Sequence, residues 1–386
     1  MIAPEPFFQY RGTPISVYFR IKALSCLGHK IDLVTYHLGE DVLFNNLQIT
    51  RTPRIVFIKK IKIGPSFVKI VLDFLLFLKA FSQLLKKRYD LIFSHEEAAI
   101  MGVVLSKIWQ LPHLYDMHSS LPQQLKNFNF TNSKLLINLF LVMEKYVLKN
   151  SHAILVICQD LKNQVQREGF KSKSILLENF LEFPKENLSK KQIELKRKKL
   201  ASIGEKIVLY VGNFQPYQGI PLFLEAAKRI DNHKVKFLLV GGNKTNREKM
   251  KKKALSLKIS KKTVFTGEVP PSQVHLYTSI ADVLVSPRIA GTNTPLKIYS
   301  FLKSGKPIVA TDLWTHSQIL NNSIAILVKP DPKNLAEGIS FALFDKEAKK
   351  RAAEAKKYAD KHYTYSIYKQ RLKLSLETAL KHKGET

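Results

Sequence analysis

The chain has 386 residues, of which 45% are hydrophobic and 24% charged; that is long enough for two packed cores, and the composition excludes disordered and fibrous classes. The formal net charge is +31, about +9 in residues 1–184 and about +22 in residues 185–386, and much of the excess sits in lysine runs at 196–199 and 249–253 that read as solvated helix faces. No stacking-aromatic motif accompanies the charge, so no nucleic-acid partner is expected, whereas weak attraction to an anionic membrane is.

The two cysteines, Cys26 and Cys158, lie in apolar stretches and suggest neither a disulfide framework nor metal-ligand spacing, which fits a reducing cytoplasm. The opening MIAPEPFFQYRGT lacks a basic region followed by an apolar run, so no signal peptide is expected. It leaves room for a first strand of only two or three residues; either that strand is a stub or the true start lies upstream. Arg11-Gly12-Thr13-Pro14 then separates strand from helix. Gly12 can bring its backbone close to a ligand and the helix start offers free N–H groups to an anion, although a plain turn satisfies the same residues.

Short β-branched runs then alternate with helical stretches, the pattern of βαβ units and a parallel sheet. Strands are expected at IDLVTYH (31–37), RIVFIKK (around Ile55), DLIFSH (90–95), HLYDMH (113–118) and AILVIC (153–158). Ligands bind beyond the carboxyl ends of such strands, so His95, Glu96, Asp116 and His118 share a candidate rim. The adjacent Glu96 and Glu97 read either as a solvated helix start or as acceptor-side carboxylates. Residues 67–85, FVKIVLDFLLFLKAFSQLL, have the length of a membrane span, but Lys69, Asp73 and Lys79 interrupt it, and central charges oppose insertion. Two readings remain: a crossover helix buried against the sheet, or a helix whose apolar face dips into a bilayer beside the basic Lys86-Lys87-Arg88. LLINLFLVMEKYVL at 135–148 is a weaker case of the same kind.

The charged stretch 185–205 reads as a linker with a short exposed helix. Beyond it the alternation restarts, from KIVLYVGN through KFLLVGG, TVFTGEV and ADVLVSP to KPIVATD, as a second doubly wound domain over 206–360; residues 361–386 are expected to form a helix returning in part to the first domain, 1–184. In YVGNFQPYQGIPLF a strand runs into Gly212, and Gly219 opens a helix suited to a diphosphate. In SPRIAGTNTPLKIYSFLKSGKP, hydroxyls, backbone amides and Lys297 gather at a helix start marked by Pro295.

These motifs, in this order over nearly the whole chain, resemble the GT-B glycosyltransferases, in particular the large retaining group that includes sucrose synthases, mannosyltransferases and lipopolysaccharide transferases. The resemblance implies an α/β fold of two Rossmann-like doubly wound domains facing a central cleft, and metal-independent, retaining transfer from a nucleotide-diphosphate sugar, with no cofactor beyond that co-substrate. It implies His118 and Lys297 as catalytic. It places Gly12, Thr13, Asn213, Gln218, Gly219, Glu268, Val269, Arg288, Thr294, Pro295 and Ser300 on the donor, and leaves Glu96 and Glu97 to the acceptor side. The implied acceptor is a cell-envelope glycan or lipid-linked precursor, reached from the cytoplasm or the inner face of the membrane. Many relatives carry arginine at the position of Asn213, lysine at Gln218, and a pair of glutamates at Thr292 and Ser300; Lys297 and Arg288 are the nearby substitutes for the missing positive charge. Those neutral positions motivate an alternative, a non-catalytic GT-B homologue that binds a glycan or protein partner. An epimerase or nucleotide-sugar phosphatase ranks last, because its extra carboxylates are not evident.

Overall fold

The computed structural model describes residues 1–9, 12–61, 66–123, 133–180 and 188–381. The chain divides into two units, one formed by Met1–Phe180 with Tyr365–Thr386 and the other by Leu181–Thr364.

The first unit is built on a seven-stranded parallel sheet in the order β3-β2-β1-β4-β5-β6-β7. Its strands are β1 (Ile2–Ala3), β2 (Ile31–Thr35), β3 (Leu47–Arg51), β4 (Ile92–His95), β5 (His113–Met117), β6 (Ala153–Val156) and β7 (Ser174–Leu176). Every residue of β4, β5 and β6 is buried, as strands covered by helices on both faces must be. The strand order reverses between β1 and β4, so the loops that leave these two strands diverge and open a crevice there. The helix Gly12–Cys26 follows β1, and Glu96 with Glu97 follow β4.

The second unit holds a six-stranded parallel sheet in the order β10-β9-β8-β11-β12-β13. Its strands are β8 (Lys206–Val211), β9 (Val235–Val240), β10 (Thr263–Gly267), β11 (Val283–Ser286), β12 (Ile308–Thr311) and β13 (Ile326–Val328). Its reversal lies between β8 and β11, beneath the Gly212–Gly219 and Pro287–Pro295 loops.

Two expectations change, and a third gains detail. The run around Ile55 is a turn closed by a bond from the Ile58 amide to the Ile55 carbonyl. Its Val56 and Phe57 are exposed, and Pro53, lacking an N–H, precedes it; the strand is the preceding Leu47–Arg51, whose pairing follows β2 residue by residue. Within 185–205, read as a linker with a short exposed helix, the described residues hold such a helix, Lys190–Leu200, none of whose residues is fully buried. The helix Lys190–Leu200 starts at a Ser189–Gln192 capping box and is held to the second unit by Arg197, which donates to Asp282 Oδ2 at 2.9 Å and to the Ile280 carbonyl. Beside these bonds, Ile193 and Leu200 pack partly buried against the second unit's core. Finally, the helix Phe67–Lys86 buries only Leu72, Leu76 and Ala80 completely and is not enclosed.

The last three helices, Pro332–Phe344, Lys346–His362 and Tyr365–Lys381, are separated by caps at Asp345 and the Tyr363 turn. The final one belongs to the first unit and buries Tyr368, Leu372, Ser375 and Ala379.

Candidate functional site

In the first unit the parallel register places His95 beside Asp116, and the carboxylate of Asp116 becomes the centre of a buried cluster. Arg20, on the Gly12–Cys26 helix, donates from Nε to Asp116 Oδ2 at 3.0 Å. His95 Nδ1 lies 3.1 Å and His118 Nε2 3.0 Å from the same oxygen. Arg20 also donates to the Tyr368 hydroxyl and, at 3.3 Å, to the Leu177 carbonyl. Burial opposes the Asp116 charge, but Arg20, His118 and His95 outweigh it and hold the carboxyl well below its ordinary range. Burial pushes His95 down to about 4, so at neutral pH its ring is uncharged, while Asp116 fixes the orientation of His118 on the rim.

His95, Asp116 and His118 present ligating atoms within 4.8 Å of one another, a grouping that spacing along the chain did not reveal. A dication there would compete with the Arg20 guanidinium for an oxygen it already holds, which makes this donor set better suited to orienting imidazoles than to binding metal.

Beside it, the two candidate acceptor-side carboxylates differ. Glu96 is buried, sits at a left-handed φ of 49°, and accepts from Ser119 Oγ at 2.7 Å; burial raises it to about 7. Glu97 pairs with Lys69, whose neighbour one turn on, Asp73, accepts from the Tyr36 hydroxyl. Gly12 and Thr13 begin their helix, Gly12 exposed with open space where a Cβ would stand.

In the second unit two loops approach to backbone contact. Gly219 has φ 71°, and a Cβ there would come within 1.8 Å of the Pro287 carbonyl oxygen. Only glycine permits this approach, which sets the start of the helix Ile220–Arg229 beside the start of Leu296–Lys303. Both ends carry unpaired amides and a positive dipole end. Lys297 lies between them: its Nζ is 3.4 Å from Gln218 Oε1 and 3.9 Å from the centre of the Tyr210 ring. Among the described residues no carboxylate pairs with it, and burial, aided by Arg288, depresses its pKa well below the ordinary lysine value. Thr294, at the same helix start, is buried with its Oγ1 lacking a partner among the described residues.

The other sequence-derived residues divide. Pro295 caps the Leu296–Lys303 helix, and Asn213, exposed, takes the Tyr210 hydroxyl on its carbonyl. Arg288 turns inward, donating to the Asn293 carbonyl and to Thr315 Oγ1, both at 2.9 Å, so it secures the loop before Thr294. Ser300 spends its hydroxyl on the Lys297 carbonyl at 2.8 Å. Glu268 and Val269 follow the edge strand β10, with β9 between them and β8. Sequence reasoning missed Arg20, Tyr368, Tyr210 and Thr315, because their partners are remote along the chain or are ring faces and backbone.

A profile described as Glycosyl transferases group 1 matches residues 191–362, and one described as Glycosyltransferase Family 4 matches residues 10–181. The chain is a GT-B glycosyltransferase of the group 1, family-4-like type. Among curated relatives, this glycosyltransferase is 25% identical to lipopolysaccharide 1,2-N-acetylglucosaminetransferase of Salmonella typhimurium, over 43% of this chain and 46% of that protein; the match thus spans about half of that relative. It is also 25% identical to alpha-monoglucosyldiacylglycerol synthase of Streptococcus pneumoniae, over 79% of this chain and 68% of that protein. Among solved structures, Anabaena HepE in complex with UDP superposes with a TM-score of 0.76, covering 98% of both chains at 14% identity. That likeness establishes the shared fold.

Proposed function

We propose that this glycosyltransferase moves a sugar from a nucleoside diphosphate donor to a hydroxyl of a cell-envelope glycan or lipid-linked precursor, with retention and without metal or other cofactor. The observation that carries the reading is Lys297: a half-buried lysine whose pKa is held down by desolvation, with no carboxylate partner among the described residues, flanked by two helix starts and the unpartnered Thr294 hydroxyl. A cation desolvated in this way is stabilised when an anion arrives, and a diphosphate brings the oxygens that Thr294, the helix amides and Lys297 lack.

In the proposed step the acceptor oxygen bonds to the anomeric carbon from the face that the donor leaves. The bond from that carbon to the phosphate oxygen breaks, and the acceptor proton passes to the departing diphosphate. Lys297 and the helix dipoles meet the growing negative charge in place of a metal ion. His118, oriented through Asp116, is proposed to contact the transferred sugar, and Glu96 and Glu97 to face the acceptor. The donor sites of Gly12, Thr13, Asn213, Gln218, Gly219, Glu268 and Val269 follow the same reading, with Arg288 and Ser300 shaping the phosphate loop. The names of the two curated relatives, a lipopolysaccharide 1,2-N-acetylglucosaminetransferase and an alpha-monoglucosyldiacylglycerol synthase, support an envelope acceptor, which the proposal has the chain reach from the cytoplasm or the inner membrane face.

Neutral residues at Asn213, Gln218, Thr292 and Ser300 favour a second reading, a homologue that binds a glycan or partner without transfer. Titration with UDP- and GDP-sugars, read by thermal shift and by release of nucleoside diphosphate, tests both. The enzyme reading expects saturable stabilisation by at least one donor and turnover with added envelope acceptors, both insensitive to chelator. Stabilisation without any release supports the second reading, and no response to any donor removes the first.

A further inference from the structure

The helices Phe67–Lys86, Ala98–Trp109 and Lys134–Asn150 form one layer on the first unit's sheet. The ring of Phe81 meets Trp109 at 4.9 Å, and Lys107 reaches Tyr146, donating to its hydroxyl at 3.0 Å with the ammonium 4.9 Å from the ring centre. The side of this layer turned to the sheet is a normal core. The outward side is not: Phe67 is 77% exposed, Ile70 64%, Phe74 62%, Ile108 56%, Leu135 83% and Val142 66%. Large side chains this exposed on all three packed helices exceed the scattered apolar residues of an ordinary surface.

The exposed charges on the same helices have one sign. Lys86, Lys107, Lys134, Lys145 and Lys149 are exposed, while the only acids in these three helices, Asp73 and Glu144, turn inward. Asp73 accepts from Tyr36, and Glu144 accepts from Ser120 Oγ at 3.1 Å and from the Leu121 amide at 3.0 Å. Lys86 is followed by the exposed Lys87 and Arg88. A face of Phe, Ile, Leu and Val rimmed by lysine, with no exposed acid on its helices, is complementary to acyl chains beneath anionic headgroups. A protein partner would have to supply a large apolar surface rimmed with acids. No described helix is long and apolar enough to cross a membrane, which leaves surface contact as the way these helices would meet a bilayer.

We propose that this helical layer is a docking surface for a bilayer containing anionic lipid, with Phe74 and Val142 entering the acyl boundary and Lys86, Arg88 and Lys107 contacting headgroups. It deepens the reading of a membrane-derived acceptor, because Lys69, on the first of these helices, also holds Glu97 at the candidate acceptor rim. The same element therefore touches the lipid and the rim. Lipid binding itself needs neither donor nor acceptor, so its failure and the failure of the proposed reaction are separable.

The test is co-sedimentation of the full chain with vesicles of phosphatidylcholine alone and of phosphatidylcholine with phosphatidylglycerol at equal parts. The expected result is binding roughly tenfold stronger to the anionic vesicles and weakened by salt. The double variant Phe74→Glu/Val142→Glu should lose roughly tenfold or more on those vesicles, with an unchanged thermal midpoint because both side chains are exposed. Lys86→Glu/Arg88→Glu should lose the anionic preference, whereas Lys252→Glu/Lys349→Glu in the second unit should bind as wild type, separating the face from overall charge. Binding by the Phe74→Glu/Val142→Glu variant at wild-type strength overturns the proposal. So does absence of binding to either vesicle, or a dimer seen by light scattering that the same variant dissolves, which would assign the face to a second copy.

Discussion

At the scale of single residues, the proposed site rests on charges placed where burial works against them. Lys297 has no carboxylate partner among the described residues and a depressed pKa caused first by burial. Removing such a charge relieves desolvation, so Lys297→Met should leave the unfolding midpoint unchanged or slightly raised. The same change removes a charge-assisted bond to the donor, worth about 1.5–3 kcal/mol, and should weaken nucleotide-sugar binding by roughly 10- to 100-fold. Calorimetric titration and thermal melts read the two effects separately; a destabilised variant that binds normally would make Lys297 structural. Glu96 gives a complementary case. Burial raises its carboxyl from 4.5 to about 7, so the folded chain holds that proton more tightly than the unfolded chain does. The associated stability is complete below pH 4.5 and is lost as pH rises through 7. In Glu96→Gln this dependence disappears, and urea unfolding should show the variant gaining up to about 3 kcal/mol on the wild type between pH 4 and pH 8. A constant difference across that range would place Glu96 in contact with water or a fixed cation.

At the scale of elements, the decisive feature is how the turns leave the sheets. Gly219 brings the β8 loop against the carbonyl of Pro287 after β11 with a left-handed φ. Gly219→Ala adds both backbone strain and a clash with main chain, and should cost about 2 kcal/mol or more in urea unfolding while abolishing the thermal shift given by donor. Retention of both properties would show that the two helix starts need not be adjacent. Much of this was legible beforehand, because β-branched runs ending in glycine and proline mark both the strands and their ligand-facing ends. The strand Leu47–Arg51 was not, since its alternation is short and the more apolar run beside it, around Ile55, is a turn. The short exposed helix expected within 185–205 is Lys190–Leu200, but its anchoring through Arg197 on Asp282 has no local signature, because the partner lies far along the chain. In the site, Asp116 and His118 were visible in one short motif. Arg20, the residue that keeps Asp116 charged, lies 96 positions away and has no local signature. The position of Arg288 near the donor loop was legible, but the bonds from its guanidinium to Asn293 and Thr315 were not.

At the scale of the whole molecule, the chain enters the first unit, leaves it, and returns. The second unit is continuous in sequence and carries two cores of its own, one around Phe223, Phe237 and Leu335 and another around Ile298, Phe301 and Ala355. The first unit is completed by the Tyr365–Lys381 helix, whose Tyr368 takes a bond from the buried Arg20 and whose Arg371 donates to Glu178 at 3.2 Å. Residues 188–364 expressed alone should therefore unfold in one cooperative transition. If Lys297 and its two helix starts bind diphosphate, the fragment should also be stabilised by nucleoside diphosphate according to RT ln(1 + [L]/Kd). Residues 1–180 alone should fail to do either. Without the last helix, Arg20 is left short of one acceptor and the sheet face beneath Leu372 meets water, losses of the kind that cost several kcal/mol. Differential scanning calorimetry of the two fragments decides the matter: a sharp transition from 1–180 would show that the returning helix is an accessory, and a broad one from 188–364 would show that the second unit depends on the rest of the chain.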